Sequence, residues 1–278
     1  MSLQTALMVL QITTLLYFIS MAGYILFLFN QKKIYQKIAF CFISTAVVFH
    51  FISMMIYTMA TQHVPIQNLS QSLSLAAFFL GGMFLFFQYK FDLKILGVFA
   101  SILLFAIMVI VLIMPGAAPV EKNIVLKGFW LYSHIVLVFT GEASLALACG
   151  AGILYLLQEK GIKTKRPGFF YKRLPSLDFL DNVGYTCLTT GFTLLTIGLV
   201  TGFIYAKVIW GSFWNWDPKE VFSVGTWLVY AALLHLRLYS GWRGRKSAIM
   251  TIIGFFIIIF TFLGVNMLLG GYHQTFTK

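Results

Sequence analysis

Long apolar runs separated by short polar clusters dominate the chain. Bounded by charge, Pro or Gly, the runs fall near residues 5–29, 38–60, 69–88, 94–114, 129–157, 179–206, 221–240 and 247–270. Each is about 20 residues or more, the length at which an α-helix crosses roughly 30 Å of hydrocarbon. A segment in lipid must satisfy its own backbone polar groups, and a helix does so internally. The pattern therefore predicts an all-α integral membrane protein, a bundle of about eight transmembrane helices. The first run, in MSLQTALMVLQITT, lacks the basic flank and small-residue cleavage site of a signal peptide and reads as a retained helix.

Composition narrows the picture. Of 278 residues 60% are hydrophobic and 10% charged, too few charges for an ordinary soluble globule. The net charge of +12 would suggest a polynucleotide partner in a soluble protein, but here the cations sit in short loops. Fifteen of the 20 Lys and Arg fall in alternate loops, at Lys32, Lys33, Lys37, Lys90, Lys94, Lys160, Lys163, Lys165, Arg166, Lys172, Arg173, Arg237, Arg243, Arg245 and Lys246. The other side has only Lys122, Lys127, Lys207, Lys219 and Lys278. That bias predicts both termini outside, with the 61–68, 115–128 and 207–220 loops, and no nucleic-acid partner. Cys41, Cys149 and Cys187 are isolated within apolar segments and form no CxxC, so they read as packing residues. The basic connection 158–178, with Pro167, Gly168 and Pro175, reads as a cytoplasmic tether within one transmembrane domain, joining a five-helix front half (1–157) to a three-helix back half (179–278).

Candidate chemistry concentrates between helices 6 and 7, in the external loop 207–220 and its segment Trp210–Glu220, WGSFWNWDPKE. Asp217 suits the N-cap of the seventh helix, Pro218 its first position and Glu220 the position three beyond the cap, so DPKE predicts a capping box. Tryptophan is enriched at both membrane interfaces, which gives one reading of this loop. Three of the six tryptophans lie within seven residues, with Gly211 between them and a rigid cap behind. That density favours a planar aromatic platform for a large flat apolar ligand such as a porphyrin, held by offset stacking.

Imidazole is a natural ligand for haem iron, and the chain has five histidines. His134 lies a few residues into the fifth run from the outside and His273 just beyond the eighth, so both reach the layer of the tryptophan loop. His235 lies about 15 residues into the seventh run, roughly 22 Å deeper, whereas His50 belongs near mid-depth, about 10 Å away along the normal. The two are poorly placed to share one haem, and His50 reads as structural, with a weaker reading as a ligand. His63 reads as a loop residue. Glu142, an ionisable group within a span, is a weaker functional candidate: a proton relay, a contact to a haem edge, or a hydrogen bond to Asn266. Lys207 and Lys219 either meet haem propionates or snorkel to the interface.

WGSFWNWDPKE resembles the signature of the tryptophan-rich (WWD) haem-handling membrane proteins. DPKE with the following TWLVYAALLHLR is similar to their CcsA/ResC branch, the integral subunit of the system II cytochrome c synthase. His63–Ser72 and GVNMLLGGYHQ near the C-terminus add to the resemblance. The chain departs from the family pattern in TQHVPIQNLSQS, with Gln62, Ser70 and Gln71 where Gly, Tyr and Glu are usual. The resemblance implies haem transport and presentation for covalent attachment to the CxxCH of apocytochrome c, in a complex that forms thioether bonds. Haem b (iron protoporphyrin IX) would be bound as a substrate in transit. His134 and His273 would be the outer axial ligands, and Trp210, Trp214, Trp216, Asp217 and Gly211 the platform. His235 would be the inner ligand, opposed by a ligand from a ResB/CcsB-type partner. Further partners implied are apocytochrome c and thiol-reducing proteins. The implied location is a bacterial plasma membrane with an extracytoplasmic active face, or a thylakoid membrane for a plastid-encoded chain. A haem carrier or exporter without ligase activity would share these motifs. A b-type electron-transfer subunit would need histidine pairs at matched depths, which the spacing of His50 and His235 disfavours.

Overall fold

The computed structural model describes residues 2–91, 93–114, 128–164, 168–169 and 171–264. These residues form eight helices and contain no strand: α1 (Leu3–Asn30), α2 (Lys33–Thr61), α3 (Leu69–Phe91), α4 (Leu96–Ile113), α5 (Phe129–Lys163), α6 (Leu177–Trp210), α7 (Pro218–Tyr239) and α8 (Arg245–Ile259). A π-helical turn, Phe260–Gly264, continues α8. All eight spans expected from the apolar pattern are present, each long and apolar enough to cross a membrane. His273 and Asn266 lie outside the described residues.

Several helices overrun their apolar runs, because backbone hydrogen bonding continues where hydrophobicity stops. The second starts at Lys33 rather than 38, the fifth continues to Lys163 rather than 157, and the sixth reaches Trp210 rather than 206. Lys163 donates to the Glu159 carboxylate at 2.7 Å, an i,i+4 pair that supports the extra turns of α5. The opposite carboxylate oxygen accepts from Arg245 at 3.0 Å and ties the end of α5 to the start of α8. At 35 and 34 residues, α5 and α6 are each about 50 Å long and exceed the hydrocarbon thickness, so they tilt or protrude.

The helices group into two compact units, α1–α4 and α5–α8. In the first, α1 and α2 run against each other, joined by Ser20 Oγ donating to Ala39 O at 2.9 Å and Ser53 Oγ donating to Ala6 O at 2.8 Å. In lipid there is no hydrophobic drive between helices, so such bonds and the close approach of small residues hold a bundle together. The loop before α3 explains how the chain tolerates its departures at 61–72. Asn68 Oδ1 accepts from Gln71 N at 2.8 Å, while Gln71 Oε1 accepts from Gln67 N at 2.8 Å and its amide nitrogen donates to Tyr57 OH at 2.7 Å. The uncharged amide at 71 thus supplies both an acceptor for the helix start and a donor to α2. In the second unit α5 and α6 form the main interface, and the small-residue stretch Gly141–Gly152, GEASLALACGAG, lets neighbouring backbones approach. Helix α8 packs on α5, while α7 is held more lightly against α6 and α8.

Candidate functional site

Helix α6 ends where Gly211 takes φ 75°, a left-handed conformation that glycine adopts without a Cβ penalty. Its amide donates to Lys207 O, and Lys207 Nζ bonds Gly211 O at 2.7 Å, so this lysine closes the turn of its own helix. Ser212 then bends the chain, its hydroxyl donating to Trp214 O at 2.8 Å and accepting from Trp214 N at 3.3 Å. Helix α7 opens on the expected capping box: Asp217 Oδ1 accepts from Lys219 N, and Glu220 reaches back to the Asp217 amide. Glu220 Oε2 also accepts from Asn215 N at 2.8 Å, so one buried carboxylate fastens the loop at two points. Between those points Trp216 sits at φ 55°, a left-handed conformation that a bulky side chain rarely takes.

That backbone sets the aromatic geometry. Trp214 packs against Phe203 of α6, ring centroids 6.0 Å apart, and meets Trp216 edge-on at 5.6 Å with an interplanar angle of 84°. Trp210 meets Tyr205 edge-on at 6.4 Å. The tryptophans therefore do not form one plane: a flat ligand stacked on Trp214 or Trp216 meets the other indole at its edge. Trp216 is 78% exposed, while Trp214 is half-buried and tied to α6.

His134, five residues into α5, faces α6. Its Nδ1 lies 2.7 Å from Gly198 O. A carbonyl oxygen only accepts, so Nδ1 carries a proton, and in the neutral form of the ring the lone pair is on Nε2. Iron-binding imidazoles are commonly fixed in this way, with one nitrogen tied to a carbonyl and the other left basic. Two glycines make the seat. A Cβ on Gly198 would stand 2.7 Å from the Val138 side chain, and a Cβ on Gly202 would stand 2.7 Å from both Cε1 and Nδ1 of His134. Gly202 is followed directly by Phe203, so His134 and Trp214 meet α6 at neighbouring positions and one depth. Sequence reading missed Gly198, Gly202 and Phe203. The glycine pair at i and i+4, in GLVTG, was the available signal, since such spacing marks close helix approach.

His235 is near the far end of α7, exposed, with its ring stacked on Tyr239 at 4.6 Å and 29°. His50 belongs to the first unit and is fully buried, Nε2 2.8 Å from Ser74 Oγ and Nδ1 3.4 Å from Tyr17 OH. Both of its nitrogens are engaged within the packing of α1, α2 and α3. Glu142 lies on α5 two turns below His134, in electrostatic reach of the buried Tyr230 of α7. His63 lies in the loop before α3, partly exposed.

The family model for cytochrome c assembly proteins matches residues 66–273. The chain belongs to that family. The match contains His134, the tryptophan loop and His235, and leaves out α1 and His50. A cytochrome c biogenesis protein CcsA of Prochlorococcus marinus is 33% identical over 238 residues, covering 76% of this chain and 75% of its own. One from Chlamydomonas reinhardtii is 35% identical over 223 residues, covering 76% of this chain and 61% of its own. Among solved structures, cytochrome c haem lyase CcmF superposes with a TM-score of 0.67 at 17% identity, over 95% of this chain. The chain spans about half the length of that protein, 47%, and the likeness is one of fold.

Proposed function

We propose that this protein receives haem, carries it to the tryptophan-loop end of the bundle and presents it for covalent attachment to an apocytochrome c. The single observation that carries the reading is the juxtaposition on α6: a His134 ring tied through Nδ1 to the Gly198 carbonyl, beside a tryptophan loop braced on Phe203 and fastened by Glu220. Nε2 would ligate the iron on one face and His273 on the other. One of Trp214 and Trp216 would lie against the porphyrin while the other closes its edge, with Trp210, Gly211 and Asp217 shaping the loop. The excess of Lys and Arg at the opposite loops supports an outside position for this end. There each haem vinyl group would meet a thiol of the substrate's CxxCH. A carbon–sulfur bond forms, the thiol hydrogen passes to the vinyl carbons and no net oxidation occurs. The chain's own residues hold and orient the haem; the rate gain comes from positioning. Iron protoporphyrin IX is substrate here, entering near His235 with a second ligand from a ResB/CcsB-type membrane partner. Proteins that keep the substrate thiols reduced complete the system. The membrane is a bacterial plasma membrane or a thylakoid membrane, according to the source of the chain.

The test is the absorption spectrum of the protein purified with its partner, compared with His134→Ala and His273→Ala. Wild type should show a low-spin haem spectrum that weakens in both variants. Absence of haem from wild type, or an unchanged spectrum in both variants, would overturn the outer site. Incubation with haem and a CxxCH peptide separates ligation from carriage: a thioether product supports presentation for attachment, and its absence assigns the chain to haem transport alone.

A further inference from the structure

Two residues beyond His235, α7 carries an arginine enclosed on every side. Arg237 is only 6% exposed. It grips Asp181 of α6 with both nitrogens, NH1 to Oδ1 at 2.9 Å and NH2 to Oδ2 at 2.7 Å, and NH1 also donates to Ser247 Oγ of α8 at 3.1 Å. The guanidinium lies over the Tyr185 ring of α6 at 4.4 Å. Asp181 Oδ1 further accepts from Gly244 N at 2.9 Å, at the start of α8. One bidentate pair thus joins three helices, a geometry that fixes direction as well as distance.

We infer that the Asp181–Arg237 pair is a positioning device for His235, setting the rotation of α7 so that the imidazole faces away from the bundle toward the haem. Residues two apart on a helix of 3.6 residues per turn point about 200° apart, so turning Arg237 inward turns His235 outward. The burial pattern follows this division. Thr226, Tyr230, Leu233 and Arg237 form the buried face of α7, while Leu228, Ala232, His235 and Tyr239 form an exposed stripe. Near the tryptophan loop the rotation is held by Trp227 Nε1 donating to Thr196 Oγ1 at 2.8 Å and by the Thr226–Thr261 hydroxyl pair at 3.1 Å. Those bonds lie two turns or more from His235, whereas Arg237 is adjacent. Because α7 packs lightly on its neighbours, this bidentate pair bears on the rotation of its far end.

The inference rests on the proposed role of His235 as inner haem ligand, and the experiment separates the two. Protein purified with its partner is compared as wild type, His134→Ala, His235→Ala, Asp181→Asn, Arg237→Lys and Ser247→Ala, by reduced-minus-oxidised spectra and midpoint potentials. The part of the spectrum lost in His235→Ala defines the inner haem, and the part lost in His134→Ala the outer. Asp181→Asn should lose the inner part at least about tenfold in occupancy while keeping the outer part. Arg237→Lys keeps the charge but not the fork, so it should retain inner haem with an altered spectrum and potential; Ser247→Ala should shift them less. If Asp181→Asn or Arg237→Lys leaves the inner haem unchanged, the positioning role is refuted. Loss of both haems together would reduce the pair to a general structural brace and refute it equally. An unchanged spectrum in His235→Ala overturns the inner-ligand reading itself and this inference with it.

Discussion

Gly202→Ala tests the outer site without touching an iron ligand or a tryptophan. The added Cβ would stand 2.7 Å from Nδ1 and Cε1 of His134, where ordinary contact begins at 3.4 Å, so the ring must retreat by about 0.7 Å. A retreat along the 2.7 Å bond from Nδ1 to Gly198 O would stretch it to at most about 3.4 Å, beyond a good hydrogen bond. Such a bond is worth about 1 kcal/mol net, and losing an outer-shell partner of a metal-binding histidine lowers affinity about 10–100-fold. Alanine meanwhile favours a helix interior over glycine by about 0.5–1 kcal/mol, which roughly offsets the lost bond, so the fold changes little while the site suffers. Haem titration followed at the Soret band, beside a thermal melt by circular dichroism, should show weakened outer-haem binding at unreduced melting temperature. Gly82→Ala and Gly225→Ala, where an added Cβ meets nothing within 4 Å, are the matched controls and should bind as wild type. Wild-type affinity and spectrum in Gly202→Ala would refute the view that the Gly198 carbonyl orients His134 for iron.

Four further substitutions probe other layers. Glu220→Ala removes the acceptor of both Asn215 N and Asp217 N, and should cut cytochrome c maturation more than tenfold with the helical circular dichroism intact; normal covalent haem staining would show that the loop needs no fastening. Trp214→Ala should impair maturation more than Trp216→Ala, because only Trp214 is braced on Phe203 as well as on its neighbour; the reverse order in the same staining assay would make the exposed indole the principal contact. His50→Ala strips partners from the hydroxyls of Ser74 and Tyr17 inside the first unit and should destabilise it by about 2–4 kcal/mol in a melt while leaving the haem spectrum unchanged; a spectral change would implicate His50 in haem contact.

Helix number and the seventh-helix cap were legible in the sequence because both depend on local rules. An apolar run of about 20 residues has no satisfactory state in lipid but a helix, and Asp217, Pro218 and Glu220 each satisfy a separate need of a helix start. The orientation of His134 was not legible, since it is set by a carbonyl 64 residues away and by two absent side chains, at Gly198 and Gly202. The expectation of a flat platform needed the same correction. Counting tryptophans gives their density, but the left-handed backbone of Trp216 turns its ring perpendicular to that of Trp214. The clamp on Arg237 was hidden for another reason: as a cation at a helix end it matched the positive-inside pattern, which predicts side and says nothing of a partner.

The two histidine environments in the second unit differ in a way that bears on the proposed passage of haem between them. His134 has its Nδ1 proton satisfied within the unit, so the direction of its lone pair is set by α6 before any ligand arrives. His235 is turned outward on an exposed stripe with only Tyr239 stacked on it, about 26 Å along α7 from Pro218. An imidazole facing hydrocarbon lacks the hydrogen bonds it has in water, and the deficit is relieved when its nitrogen meets iron and its surroundings are covered. A ring set in advance holds a ligand with little reorganisation, whereas one completed only on contact binds when ligand and cover coincide. On the proposed route, loading at His235 would then depend on a covering partner, whereas the seat of His134 is already built by α6.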